Sequence, residues 1–194
     1  MSDRIQVLPD LYAALAELWC SPQDIDREEV SRAAREKFSR WELMDEEGAA
    51  LLSRFLEDPI LEEDYVELFE LEPRCPLYLG SHSFDEPQTC PGAGMSDRNG
   101  YMLELLAIYR HLGLTPNKGE LSDYLPLMVE FLALSAESED PIREKLIEEY
   151  ILPHLPPMRS RLEELNTPYL YLLEALERVL RIDVEAGRKV ASHG

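Results

Sequence analysis

The chain has 194 residues, with 19 lysines and arginines against 39 aspartates and glutamates, a formal charge of −20; that field repels phosphates, so nucleic-acid binding is disfavoured except by mimicry, while basic partners are attracted. The length suits one domain over residues 1–194, and Cys20, Cys75 and Cys90 are too few and scattered for a secreted disulfide framework, so a reducing cytoplasm is expected. Residues 1–10 lack the pattern of a signal peptide, and charges interrupt every apolar run, so stable membrane insertion is not expected.

Leu8, Leu11, Tyr12, Leu15, Leu18 and Trp19 recur at three- and four-residue intervals and predict a first helix, ended by Ser21-Pro22. Asp26 followed by Glu29 reads as a capping box, and Val30, Ala33, Ala34, Phe38 and Trp41 continue a second helical stripe. Leu51, Leu52, Phe55 and Leu56 mark a third helix closed by Asp58-Pro59. Leu61, Tyr65, Leu68 and Phe69 mark a fourth that stops before Pro73.

Residues 72–95 hold Pro73, Pro76, Pro87 and Pro91 with Gly80, Gly92 and Gly94, a density hostile to a helix or a central strand. A long loop is predicted there, either a binding or gating segment or a disordered one. Ser96 is placed to cap the next helix, with a stripe of Met102, Leu105, Leu106, Tyr109 and Leu112 and a left-handed terminator at Gly113.

Ser122 or Asp123 caps the helix after that. From Leu125 to Leu134 this helix is apolar on nearly every side, which suits the centre of a bundle, and Pro126 is tolerated in its first turn. Asp140-Pro141 and Thr167-Pro168 each combine an N-cap with a proline at the first helical position. Pro153, Pro156 and Pro157 allow only a short or kinked segment before Met158–Leu165. Leu172, Leu173, Leu176, Val179 and Leu180 bury the last helix, with a flexible tail expected over 186–194. No alternating strand pattern competes, so the fold class is all-α, a single-domain bundle of about eight or nine helices.

Catalytic patterns are missing. Cys75, His82 and Cys90 form a loose group without close Cys-x-x-Cys pairs, and no metal or other cofactor is expected. There is no phosphate loop, no Gly-x-Ser-x-Gly elbow and no His-Glu-x-x-His helix, and His111 and His154 are explained by positions near helix ends. An enzyme is not expected.

Two stretches stand out: Tyr65-x-x-Leu68-Phe69, ending a helix before Pro73, and Glu120-Leu-Ser-Asp123-Tyr124 leading into Leu-Pro-Leu-x-x-Glu-Phe at 125–131. With Leu152-Pro-His-Leu-Pro156, and in this order and spacing, they resemble the NarJ/DmsD/TorD superfamily of redox-enzyme maturation chaperones, nearest its nitrate reductase delta-subunit branch. The resemblance covers residues 8–182 and departs from the family where Ser122-Asp123-Tyr124 replaces the usual Pro-Asp-His. It implies a TorD-like helical bundle in the cytoplasm that binds the N-terminal leader of a molybdopterin enzyme's apo catalytic subunit. The subunit would be held for molybdenum cofactor insertion and, if exported, kept from twin-arginine translocation.

Carried over by position, the resemblance implies an apolar wall of Tyr65, Leu68 and Phe69, and acidic contacts or loop anchors at Glu120 and Asp123 beside Tyr124. Pro73 and Tyr78 would stand at the loop mouth. Helical spacing is equally consistent with Leu68 and Phe69 as core residues, and Asp123 is equally consistent with an N-cap. Tyrosine at 124 keeps a ring and a hydroxyl but lacks the charge switch of imidazole near neutral pH. The protein would act as a monomer or homodimer. A reading of another class is an acidic helical scaffold or nucleic-acid mimic docking a folded basic partner.

Overall fold

The apolar repeat beginning at Leu8 folds as α1, Ser2–Leu18, in a computed structural model that describes residues 2–58, 60–85, 96–117 and 119–191. Its buried face, Leu8, Leu11, Tyr12, Leu15 and Leu18, follows the helical period and packs against α2 (Arg27–Trp41), α7 (Leu125–Leu134) and α10 (Tyr169–Ala191). The Asp26 side chain accepts the Glu29 N–H at 3.1 Å and caps α2, though the return contact of a full capping box is not formed. α3 (Glu46–Glu57) lies against α10, joined by Arg178, which grips both oxygens of Asp45 at 2.6 Å.

α4 (Glu62–Phe69) ends where Glu72 adopts a left-handed φ of 49°. The chain then turns back: the Cys75 N–H donates to Leu68 O at 2.9 Å, and Arg161 holds the Arg74 carbonyl at 2.8 Å. The segment expected as continuous loop contains a short helix, α5 (Leu79–Ser83). Tyr78 before it forms an isolated antiparallel bridge with Tyr124, the one pairing of extended chain among the described residues. Pro87, Cys90, Pro91, Gly92 and Gly94 lie outside the described residues.

Ser96 caps α6 (Asp97–His111) through the Asn99 N–H at 3.2 Å, and Gly113 ends it at φ 80°. The next cap differs from the expectation. Neither Ser122 nor Asp123 caps α7; Tyr124 occupies the cap position without a side-chain bond, and Asp123 is directed elsewhere. Leu125, Met128, Val129, Phe131 and Leu132 are buried, mainly against α1, but Leu134 is 67 % exposed, so α7 is not enclosed on every side.

Asp140 caps α8 (Pro141–Lys145) by accepting the Ile142 N–H at 2.9 Å. A π-helical turn, Leu146–Ile151, and a 3-10 turn, Leu152–His154, then lead into α9 (Leu155–Glu164). Pro153 explains the break, since it lacks an N–H and its ring obstructs the carbonyl four residues earlier. α10 continues to Ala191, so residues 186–191 are helical rather than tail, and 192–194 lie outside the described residues.

The core near the end of α1 is aromatic. Trp19 stacks on Tyr169 at 5.4 Å, Phe69 meets Tyr169 edge-on at 4.7 Å, and Tyr65 meets Phe69 edge-on at 5.0 Å. Such pairs each add about 0.5–1.5 kcal/mol beyond the burial of their area. Away from it, Arg143 forms a two-pronged ion pair with Asp183 at 2.9 and 2.7 Å, and the Tyr12 hydroxyl donates to the same carboxylate at 2.7 Å. This buried triad ties α1, α8 and α10 together.

Candidate functional site

The two sequence stretches meet at a seam between the segment before α5 and the segment before α7. The Leu79 N–H donates to Asp123 O at 2.9 Å and the Leu125 N–H to Leu77 O at 2.8 Å. Tyr78 and Tyr124 are thus directly opposite in a non-hydrogen-bonded pair, where side chains come closest, and their rings lie 5.3 Å apart. Both are half-buried, and exposed Glu120 places its Oε2 3.5 Å from the Tyr78 hydroxyl.

Behind the rings, Asp123 is wholly buried. Its Oδ2 accepts the Gly80 N–H at 3.2 Å and two bonds from Arg98, Nε at 3.2 Å and Nη2 at 3.1 Å. Ser122 pins the same segment to α6: its hydroxyl donates to Met102 O at 2.8 Å, and its carbonyl accepts the Tyr109 hydroxyl at 2.8 Å. The bonds to the Asp123 carboxylate are charge-assisted and are the strong ones, and with the Ser122 bonds they fix the backbone that presents Tyr124.

Tyr65 joins the seam to the core. Its hydroxyl donates to Trp19 O at 3.0 Å, and it lies near enough to the Tyr124 hydroxyl for each to influence the other's pKa. Burial pushes the Tyr124 hydroxyl up to about 12, with Tyr65 pulling down and the Glu120 carboxylate pushing up. Burial and Glu120 likewise raise Tyr78. Both phenols therefore remain protonated donors at neutral pH.

Tyr78, Glu120, Asp123 and Tyr124 are brought together, with Tyr65 beneath them. Leu68 and Phe69 are buried in the core, so in this conformation they support the site from behind and do not line its surface. Pro73 is exposed on the turn after α4 and takes no part in these contacts. Sequence reasoning missed Gly80, Arg98, Tyr109 and Ser122. Arg98 left a signal: it is the sole lysine or arginine between Cys75 and Tyr109.

Among the described residues, neither cysteine thiol is activated. Burial raises the Cys20 thiol and pushes that of Cys75 up to about 12, and the His82 Nε2 is engaged with Pro76 O at 2.7 Å. Among the described residues no group of three histidines, cysteines or carboxylates could hold a metal ion, and Cys90 lies outside them. What the seam presents is two half-buried rings, their hydroxyls and a carboxylate on a fixed backbone.

The fold is an all-α helical bundle, and the sequence comparisons place it in a family. The family model for the nitrate reductase delta subunit matches residues 42–173, and the chain belongs to that family. It is similar to the nitrate reductase molybdenum cofactor assembly chaperone NarJ of Escherichia coli strain K12, 31 % identical over 132 residues, 68 % of this chain and 51 % of that protein. A probable chaperone of the same description, NarW of that strain, is 32 % identical over 123 residues, covering 62 % and 48 % of the two chains. A third, the probable chaperone NarJ of Bacillus subtilis strain 168, is 32 % identical over 114 residues, covering 59 % and 55 %. The chain spans about half the length of the curated relatives it matches. Among the described residues, no helix is long and apolar enough to cross a membrane.

Proposed function

We propose that the protein is an assembly chaperone, not an enzyme, acting in the cytoplasm on the apo catalytic subunit of a molybdenum enzyme. It binds that subunit's N-terminal leader and holds it until the molybdenum cofactor is inserted; for an exported client it also delays twin-arginine transport. The names of the relatives support the chaperone role. The observation that carries the peptide-binding part is the Tyr78–Tyr124 pair with Glu120 at its edge. Half-buried rings suit the apolar part of a leader, and a carboxylate beside them suits its basic part. The net charge of −20 favours capture of such a segment over an acidic one.

The test is the molybdenum content of the client subunit purified from cells with and without the protein. Several-fold less molybdenum is expected in its absence, restored by the wild-type chain and only weakly by a Tyr78→Ala/Tyr124→Ala variant. Full molybdenum content without the protein would overturn the proposal.

A further inference from the structure

We infer that the cleft between α6 and the π-helical turn is a subsite for the guanidinium groups of a basic peptide segment, an inference that rests on the peptide-binding reading above. The cleft has a volume of about 660 Å³ and is bounded by Phe84, Tyr101 and Tyr150 together with Asp97, Glu104 and Glu149. Phe84 and Tyr101 have ring centres 5.4 Å apart, and Tyr101 and Tyr150 are 6.1 Å apart and within 16° of parallel. The Tyr101 hydroxyl donates to Tyr150 O at 2.6 Å, and the Tyr150 hydroxyl donates to Glu104 Oε2 at 2.8 Å. These bonds fix one ring wall and one carboxylate before any ligand arrives.

The charges do not balance. No lysine or arginine is among the described lining residues, and Arg98, on the same turn as Asp97, is engaged by Asp123. Lys145 stands at the rim, 5.9 Å from the centre of the Tyr150 ring and 3.6 Å from Glu149. Among the described residues, that leaves Asp97 and Glu104 without an ion pair. The helix dipole accounts for Asp97 in the first turn of α6, but not for Glu104 further in or for the aromatic wall.

Rings beside carboxylates select guanidinium over ammonium, because guanidinium is planar, weakly hydrated, stacks on rings and forks onto carboxylates. The position fits the same peptide. Asp97 in the cleft and Arg98, which holds the seam's Asp123, are consecutive residues at the start of α6, so the cleft and the seam are anchored at the same end of one helix.

The experiment is a titration of the ¹⁵N-labelled protein, followed by NMR, with the acetylated and amidated pentapeptide Ala-Arg-Ala-Arg-Ala. A twin with citrulline for arginine keeps the shape and removes the charge. The arginine peptide is expected to shift the amides of Gly100, Tyr101 and Tyr150, and the citrulline peptide to leave them in place. Binding should weaken about tenfold in Asp97→Asn/Glu104→Gln and tighten in Lys145→Ala, which frees the rim. Unchanged thermal melting of these variants confirms that they fold. Equal shifts from both peptides, shifts confined to other residues, or full affinity in the double variant would overturn the inference. Arginine binding in the cleft by a protein that binds no client leader would support the subsite while removing the proposed function.

Discussion

The Gly80 N–H donates to Asp123 Oδ2 at 3.2 Å, and a Cβ at residue 80 would stand 2.6 Å from that same oxygen. The Arg98 side chain lies 3.1 Å from the same point, so neither neighbour has room to withdraw without breaking the Asp123–Arg98 pair. Gly80→Ala is therefore expected to cost about 2–3 kcal/mol, as overpacking at a hydrogen-bonded contact does. The urea midpoint measures it. An unchanged midpoint would mean that the seam is not closed as described.

Removing the carboxylate tests the other side of the contact. Asp123→Ala strands the Gly80 N–H and leaves Arg98, whose side chain is 20 % exposed, without its anion. The expected loss is about 3 kcal/mol. Asp123→Asn retains an acceptor and should lose about half as much. If alanine and asparagine are equally mild in chemical denaturation, Asp123 is not the tie between the two segments.

The Arg143–Asp183–Tyr12 triad supplies a contrast. Tyr12→Phe removes one bond to a buried carboxylate and is expected to cost about 1–2 kcal/mol. Arg143→Ala leaves Asp183 buried and unpaired, at a cost of about 3–5 kcal/mol. Neither residue touches the seam, so Tyr12→Phe should melt earlier yet bind peptide with unchanged affinity. A parallel loss of affinity would show that the triad and the seam are coupled.

Stability should also fall in mild acid. Burial holds the imidazoles of His82 and His154 below their ordinary value of 6.5. The unfolded chain then takes up these protons more readily than the folded one, so their contribution is present above pH 6.5 and is lost as the pH falls below it. The urea midpoint should be lower at pH 5.5 than at pH 7.5. A variant with His82→Gln and His154→Gln should show less of this decline; an identical decline would assign it to other groups.

The contrast between caps and seam explains how far the sequence could be read. Asp26, Ser96, Asp140 and Gly113 act within a few residues of themselves, so local pattern located them. Asp123 also precedes an apolar helix and has a cap's appearance, but its partner Gly80 is 43 positions away, and no local rule reaches that far. Helical spacing put Tyr65, Leu68 and Phe69 on one face without saying what that face meets. It meets Trp19 and Tyr169, so Leu68 and Phe69 belong to the core, and Tyr65 serves both core and seam. Lone Arg98 in an acidic stretch was the one sequence clue to a buried carboxylate.

The measurement closest to the central claim is calorimetric titration of the protein with a synthetic N-terminal leader of the proposed molybdenum-enzyme client, beside a Tyr78→Ala/Tyr124→Ala variant and Glu120→Gln. Saturable binding is expected, weakening as salt rises because acidic side chains meet a basic peptide. Loss of both rings should reduce affinity by about tenfold or more, and Glu120→Gln should reduce the salt dependence. Binding that is equally tight in all three proteins, or no binding by the wild-type chain, would contradict the account.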